Sequence, residues 1–277
     1  QGSGDSWGVA AVDAKGRRKK VLHGKTLEKS AALTTTLSAS AQASAQAAVD
    51  SVGNASALVV IRPSTGDIIA VAQNRAAGES PVALTGLYPP GSTFKIATAT
   101  AVLDSGAAGI GTVLPCPGKA TIGTRTIPND GGFDLGDVPL RTAFAHSCNT
   151  TFGRLAAELP ADALAKAADA LGLNADFDVP GITTEAGAVL PADSQVQRVE
   201  DGIGQGRVQA SPFGVALMAA TVAAGKQVKP RLWRDIDTIV NEGYRPPSAA
   251  VLAFAAFVAD AGSSKPAVAV AGKFLGG

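Results

Sequence analysis

The chain of 277 residues is long enough to bury a large core, either in one big domain or in two smaller ones. Its formal net charge of +1 does not favour nucleic-acid binding, and its two histidines and two cysteines do not form a metal-ligand pattern. The sequence has no run of 18 apolar residues and no signal peptide at Gln1, so it predicts neither a membrane span nor an export leader. We interpret it as a soluble piece, and a fragment cut from an anchored or exported parent fits this composition.

The first part of the chain carries a short alternating segment, Val9–Val12, and the basic run Arg17–Lys20. We interpret the basic run as a solvated turn between strands rather than as a patch that binds a ligand. The segment Thr34–Val49 has alanines at helical spacing and predicts a helix. Two apolar runs, Ala57–Ile61 and Asp67–Ala72, are separated by a turn-forming Pro-Ser-Thr-Gly sequence and predict a β-hairpin.

The stretch Tyr88–Leu103 contains the most informative pattern of the chain. Pro89, Pro90 and Gly91 are poor helix formers, so a helix is predicted to start at or just after Gly91 and to be apolar almost all round. Ser92 and Lys95 are three residues apart on one face of that helix. Elsewhere such a pair would usually be a capping serine and a solvated lysine. Here the lysine lies in an apolar run, where an unpaired ammonium is costly, so we predict a neutral, functional amine or a specifically paired one.

The rest of the chain predicts an α+β arrangement in which helices pack against an antiparallel sheet. The region from Gly106 to Leu140 is rich in glycine and proline and predicts short strands, for example within Ala120–Ile127. Gly181–Ser194 is predicted to be irregular. The later predicted elements are helices over Leu140–His146, Thr151–Leu159, Ala161–Leu171, Pro212–Ala224 and Pro247–Ala261, and a short apolar strand over Ala267–Ala271.

A second polar pair, Ser147 and Asn149, precedes one of these helices. In extended backbone, residues i and i+2 point the same way, so both side chains could face one cleft. Serine and asparagine also cap helices, and capping is the simpler explanation when this pair is taken alone. Its presence beside Ser92 and Lys95 in one chain favours a shared site.

Four blocks of the sequence together resemble the penicillin-binding transpeptidases, serine acyltransferases related to the serine β-lactamases. The blocks are Pro63–Ala70, Pro89–Lys95, Ser147–Thr150, and Ile203–Gly206 with the helix after it. The form of the motifs favours a class B-like transpeptidase over a β-lactamase. The resemblance implies an antiparallel sheet flanked by helices. Residues 1–33 would be a remnant of an N-terminal non-catalytic region or linker, and residues 34–277 a transpeptidase domain that is incomplete at its C-terminus.

The resemblance also implies a role for each matched residue. Ser92 would attack a D-alanyl-D-alanine stem peptide, or a β-lactam, and form an acyl-enzyme whose acyl group passes to the amine of a second peptide. Lys95 would be the general base, with a pKa lowered by burial and nearby positive charge. Ser147 would relay a proton to the leaving amine, Asn149 would hold the substrate amide and Lys95, and Lys273 would bind the substrate carboxylate. No cofactor and no metal are implied.

The implied ligands are peptidoglycan stem peptides and β-lactam antibiotics, and the implied protein partner is a glycosyltransferase or another divisome component. Nucleic acid is not expected, and the membrane is expected only through an anchor that is absent from this sequence. The implied location is the extracytoplasmic face of the bacterial cell membrane. Two other functions remain open: a relative that hydrolyses or senses β-lactams, and a penicillin-binding scaffold with impaired catalysis.

The third family motif, Lys-Thr-Gly, is present only in part. The predicted apolar strand leads to Lys273, but Phe274 follows where threonine belongs, and four residues complete the sequence after Lys273. Family members have further strands and a helix after this point, and a sheet without them exposes an apolar edge. We therefore expect the natural chain to continue, an expectation that an intact mass equal to the 27.5 kDa of this sequence would refute.

Cys116 and Cys148 are the only cysteines. In an exported protein they could form a disulfide that closes a loop of about 30 residues and stabilises the fold by roughly 3 kcal/mol. Two separate buried thiols are the alternative, and the sequence leaves both open.

Overall fold

A computed structural model describes residues 7–25, 33–240 and 254–258 of the chain, which divides into two compact units, Gln1–Thr34 and Thr35–Gly277. In the first unit, the antiparallel strands β1 (Trp7–Val12) and β2 (Arg18–Lys25) form a hairpin. The Asp13 carboxylate accepts hydrogen bonds from the backbone N–H groups of Lys15 and Arg17 and so closes the connection. The prediction that the whole basic run forms the turn is wrong, because all of it except Arg17 lies in β2, where the side chains are exposed.

In the second unit, the described helices are α1 (Ala39–Asp50), α2 (Val82–Thr85), α3 (Lys95–Asp104), α4 (Leu140–Ala145), α5 (Asn149–Glu158), α6 (Ala163–Ala170), α7 (Gln195–Gly202) and α8 (Pro212–Ala224). The described strands are β3 (Ser56–Ile61), β4 (Ile68–Gln73), β5 (Val113–Cys116), β6 (Lys119–Ile122), β7 (Arg125–Pro128), β8 (Gly136–Pro139), β9 (Phe177–Asp178), β10 (Gly187–Ala188), β11 (Gln209–Ala210), β12 (Ile239–Val240) and β13 (Phe254–Val258). The predicted α+β class is confirmed.

A three-stranded antiparallel sheet in the order β13-β3-β4 has a helix against each face. All six residues of β3 are buried, as expected for a strand that is covered on both sides. One face packs against α1 through Ala45, Ala48, Val49, Leu58, Val60, Ala70 and Ala72. The other face packs against α8 through Ala57, Val59, Ile61, Ile68, Phe213, Ala216, Leu217 and Ala220. The predicted β3–β4 hairpin is confirmed.

Helices α3, α5 and α6 surround a second apolar core, which contains Phe94, Val102, Phe152 and Leu171. Two small antiparallel strand pairs, β5 with β8 and β6 with β7, lie beside α5. This part of the molecule carries the predicted reactive residues, because α3 and the start of α5 both line it. None of the described helices is both long enough and apolar enough to cross a membrane.

In the second unit, two predicted elements differ from the observed ones and one observed helix is not predicted. Helix α1 begins at Ala39 rather than at Thr34, because the Ser38 side chain caps it by accepting from the Ala41 N–H. Helix α7 was not predicted, although Ser194 and Gln197 have the spacing of a capping box and the Ser194 hydroxyl accepts from the Gln197 N–H.

The other predicted element that differs is the helix over Pro247–Ala261. Residues 254–258 of that range form β13, an antiparallel partner of β3 in which Phe254 pairs with Val60 and Val258 with Ser56. The helix prediction is therefore wrong there. A short apolar run fits a buried helix or a buried strand equally well. Here the run forms a strand because the buried strand β3 has an edge with which it can pair. The predicted strand over Ala267–Ala271 lies outside the described residues.

Candidate active site

Ser92 lies on a single 3₁₀ turn, Gly91–Phe94, that leads directly into α3 at Lys95. The predicted helix start is confirmed, but the first turn is tighter than an α-helix, as helix N-termini often are. The Ser92 side chain is exposed, so a substrate can reach its hydroxyl from solvent. The first turn also leaves backbone N–H groups without helical partners beside that hydroxyl.

Lys95 is only 1% exposed, and its Nζ lies 2.8 Å from Ser92 Oγ. Burial lowers the pKa of Lys95 from its ordinary value of 10.5 to about 8, because the low-dielectric surroundings disfavour the charged ammonium. The amine has three hydrogen-bond partners, all of them uncharged oxygens: Ser92 Oγ, Ser147 Oγ at 3.1 Å and Asn149 Oδ1 at 2.6 Å. The predicted burial of this lysine is confirmed.

Ser147 adopts a left-handed backbone conformation with φ of 57° and follows His146, the C-cap residue of α4. Its N–H donates to the Phe144 carbonyl and the Cys148 N–H donates to the Ala143 carbonyl, which together form a Schellman motif. The left-handed position of that motif is usually occupied by glycine, because a side chain there costs about 1–2 kcal/mol. A serine at this position therefore costs backbone stability that glycine would not.

Asn149 is the first residue of α5, and its side chain bridges two groups. Nδ2 donates to the Pro128 carbonyl at 3.0 Å, and Oδ1 accepts from Lys95 Nζ. The predicted extended geometry of this segment is wrong, since Ser147 is left-handed and Asn149 is helical. The capping explanation is also wrong, because Cys148 is the N-cap residue of α5. The two side chains nevertheless face one group, the Lys95 amine, as predicted.

A disulfide joins Cys148 to Cys116, the last residue of β5. Of the two alternatives left open by the sequence, the disulfide is thus confirmed. Both cysteines are fully buried. Because Cys148 lies between Ser147 and Asn149, the bond ties the second polar pair to the β5–β8 strand pair.

The end of α7 and the loop after it support the Ser92 turn and the start of α3, a contribution not predicted from the sequence. The Gly91 N–H donates to the Gly204 carbonyl at 2.9 Å, and Thr98 Oγ1 in α3 donates to the Gly202 carbonyl at 2.8 Å. Gly204 has φ of 76°, and a Cβ there would lie 1.9 Å from the Gly91 carbonyl oxygen. Only glycine fits this contact. The signal in the sequence is the Ile203–Gly206 block, one of the four blocks that carry the family resemblance.

Four of the five predicted site residues therefore meet at one amine: Ser92, Lys95, Ser147 and Asn149. The fifth, Lys273, lies outside the described residues. In the part of the chain that the structure describes, no group of three or more His, Cys, Asp or Glu side chains could hold a metal ion.

The family model named "Penicillin binding protein transpeptidase domain", which describes the sequences of that family, matches residues 56–268 of the chain. The peptidoglycan D,D-transpeptidase PbpA of Mycobacterium tuberculosis is 32% identical over 203 residues, which is 61% of this chain and 40% of that protein. The protein of the same name from Mycolicibacterium smegmatis is 34% identical over 145 residues, 51% of this chain and 30% of that protein. The match thus spans less than half the length of these curated relatives.

Solved structures give the same result for the fold. A ceftriaxone acyl-enzyme complex of penicillin-binding protein A from M. tuberculosis superposes with a TM-score of 0.68 and 28% identity, covering 78% of this chain and 58% of that one. The D,D-transpeptidase domain of a peptidoglycan glycosyltransferase from Eggerthella lenta superposes with a TM-score of 0.65 and 27% identity, covering 88% and 65% of the two chains.

Proposed function

Because the chain belongs to the penicillin-binding protein transpeptidase family, we propose that it is a peptidoglycan D,D-transpeptidase that forms an acyl-enzyme on Ser92. The observation that carries the proposal is the Lys95 amine, which is 1% exposed and within hydrogen-bond distance of an exposed serine hydroxyl. A nucleophile in contact with a base whose pKa lies near neutrality is the arrangement that serine acyl transfer requires.

In the first step, neutral Lys95 takes the proton of the Ser92 hydroxyl. The two N–H bonds of the neutral amine point to Asn149 Oδ1, which can only accept, and to Ser147 Oγ, which leaves the nitrogen lone pair for the Ser92 proton. Ser92 Oγ then attacks the carbonyl carbon between the two terminal D-alanines. The Ser92 backbone N–H is an oxyanion donor at the tetrahedral stage, and loss of such a donor costs about 3–4 kcal/mol in related chemistry.

In the second step, the C–N bond breaks and the terminal D-alanine leaves as an amine. Ser147 Oγ gives its proton to that amine and is reprotonated by the Lys95 ammonium, since the two groups are 3.1 Å apart. The product is an ester on Ser92. The amine of a second stem peptide attacks this ester in the same way, which regenerates Ser92 and forms the cross-link. A β-lactam would be attacked in the first step and opened when its C–N bond breaks in the second, but its amine stays attached to the acyl group and so does not leave.

We assign the remaining roles as the family resemblance implies. Asn149 would hold the substrate amide as well as Lys95, and Lys273 would bind the substrate carboxylate. Stem peptides lie outside the cell membrane, so the proposal includes the extracytoplasmic face of a bacterial membrane as the location. A glycosyltransferase or another divisome protein as partner also follows from the resemblance.

The experiment uses a stem pentapeptide that ends in D-alanyl-D-alanine together with an amine acceptor. The proposal predicts release of D-alanine and formation of the peptide–acceptor product by the wild type, and neither by Ser92→Ala. The exposed Ser64 in the β3–β4 turn supplies a matched control, and Ser64→Ala should be fully active. Rapid turnover of a chromogenic cephalosporin would instead indicate a hydrolytic relative. A stable β-lactam adduct without any D-alanine release would indicate a sensor, and no adduct at all would indicate an impaired scaffold.

A further inference from the structure

Asn129 is a buried asparagine that joins several segments behind the site. It is 2% exposed, follows β7 directly and lies before the short turn that leads to β8. Its Nδ2 donates to the Pro117 carbonyl at 3.0 Å and to the Phe133 carbonyl at 2.9 Å. Its Oδ1 accepts from the Thr150 backbone N–H at 3.1 Å. All the hydrogen-bonding groups of this amide except one acceptor lone pair are thereby used.

These bonds fix two backbone segments next to Asn149: the segment at Pro128, which contacts its side chain, and the start of α5. Pro128, the neighbour of Asn129, presents the carbonyl to which Asn149 Nδ2 donates, and Thr150 is the next residue after Asn149. A carbonyl oxygen can only accept, so it determines which end of the Asn149 amide faces it. The opposite end, Oδ1, must then face the Lys95 amine.

We propose that Asn129 is the positioning residue that sets the orientation of the Asn149 amide and thereby holds the Lys95 amine in line with Ser92. The inference depends on the proposed function for its effect on acylation, but the positioning itself is a property of the fold. Asparagine suits the position because it supplies two donors and one acceptor. An aspartate of the same shape supplies no donor when ionised, and would set its oxygens against the Pro117 and Phe133 carbonyls.

Asn74 is a matched control in the same chain. It is 5% exposed, donates to the carbonyls of Val49, Val52 and Asn54, and accepts from the Ser56 and Ala77 N–H groups. Its network joins α1 to the sheet and makes none of the contacts around Lys95. Asn129→Asp and Asn74→Asp should both lower the melting temperature. Only Asn129→Asp should slow acylation of the folded protein by a fluorescent penicillin, by about tenfold to a hundredfold.

A double-mutant cycle separates positioning from general destabilisation. If Asn129 acts through Asn149, Asn129→Asp slows acylation less than about twofold in an Asn149→Ala background, because the group it orients is already gone. An equal slowing in both backgrounds would overturn the proposal, as would unchanged acylation by Asn129→Asp. Asn129→Ser, which keeps one donor, is the second variant should the aspartate prevent folding, and it should show a smaller loss of the same kind.

NMR of the Asn149 side-chain amide tests the positioning role even if the wild-type protein does not react with penicillin. The Asn149 side-chain amide protons, observed by NMR, should shift and exchange faster with solvent in Asn129→Asp or Asn129→Ser than in the wild type and Asn74→Asp. Unchanged amide protons in these Asn129 variants would refute the positioning role. Failure of wild-type acylation together with these changes would refute the proposed function and leave the positioning role supported.

Discussion

The pKa of Lys95 makes the pH dependence of acylation a quantitative test. With a pKa of about 8, about one tenth of the amine is neutral at pH 7, whereas an unperturbed lysine would be neutral in about three molecules per ten thousand. Burial therefore raises the base-competent population about 300-fold at pH 7. Because the neutral form is the base, the second-order rate of acylation should rise with pH, by about tenfold from pH 6 to 7 and again about tenfold from pH 7 to 9, where it levels off.

The assay is stopped-flow acylation by a fluorescent penicillin at concentrations below saturation, from about pH 6 to about 9.5. Ser92→Ala measures the uncatalysed reaction of the drug, and circular dichroism at each pH verifies that the protein stays folded. Lys95→Arg, which keeps the positive charge at every pH used, should lose the reaction and the pH dependence together. A wild-type rate that is flat across this range, or that still rises in proportion to hydroxide at its upper end, would contradict the assignment of Lys95 as the base.

Three further predictions concern stability. The pKa of Lys95 is lower in the folded than in the unfolded state, so the unfolded state binds more protons between about pH 8 and 10.5 and stability rises over that interval. Relative to Lys95→Met, the wild-type free energy of unfolding should therefore gain about 3 kcal/mol between pH 7 and about 10.5, measured by urea denaturation. Ser147→Gly should stabilise the fold by up to about 1 kcal/mol by relieving the left-handed backbone, while it slows acylation. The double variant Cys116→Ser with Cys148→Ser should lose about 3–4 kcal/mol, the loop entropy expected for a separation of 32 residues, and reduction of the wild type should shift the denaturation midpoint likewise. The first argument is contradicted if the unfolding free energies of the wild type and Lys95→Met differ by the same amount at every pH. The second is contradicted if Ser147→Gly is less stable than the wild type, and the third if reduction leaves the denaturation midpoint unchanged.

Local signals were sufficient for several parts of the fold and the site. The β3–β4 hairpin follows from two apolar runs around a Pro-Ser-Thr-Gly turn. The position of Ser92 and Lys95 follows from the proline pair and the apolar run after it, and the burial of Lys95 follows because that helix has almost no polar side. Each of these depends on residues that are close together in the sequence.

Other features have no recognisable signal in the sequence around them. Ser147 is left-handed because it ends α4 in a motif where glycine is usual, so no local signal marks it. The strand β13 exists because β3 offers it an edge, and the same residues alone fit a helix. Gly204 supports the Ser92 turn across more than 100 residues of chain, and Asn129 joins carbonyls on either side of it to α5. Such pairings require the fold before they can be recognised.

Peptide mapping of the protein after incubation with benzylpenicillin at about pH 8 tests the central claim most directly, because about half of the Lys95 amine is then neutral. Mass spectrometry should find one penicilloyl adduct, on the Ser92 hydroxyl, and none in Ser92→Ala. An adduct on any other residue, or persistence of the adduct in that variant, would contradict the account.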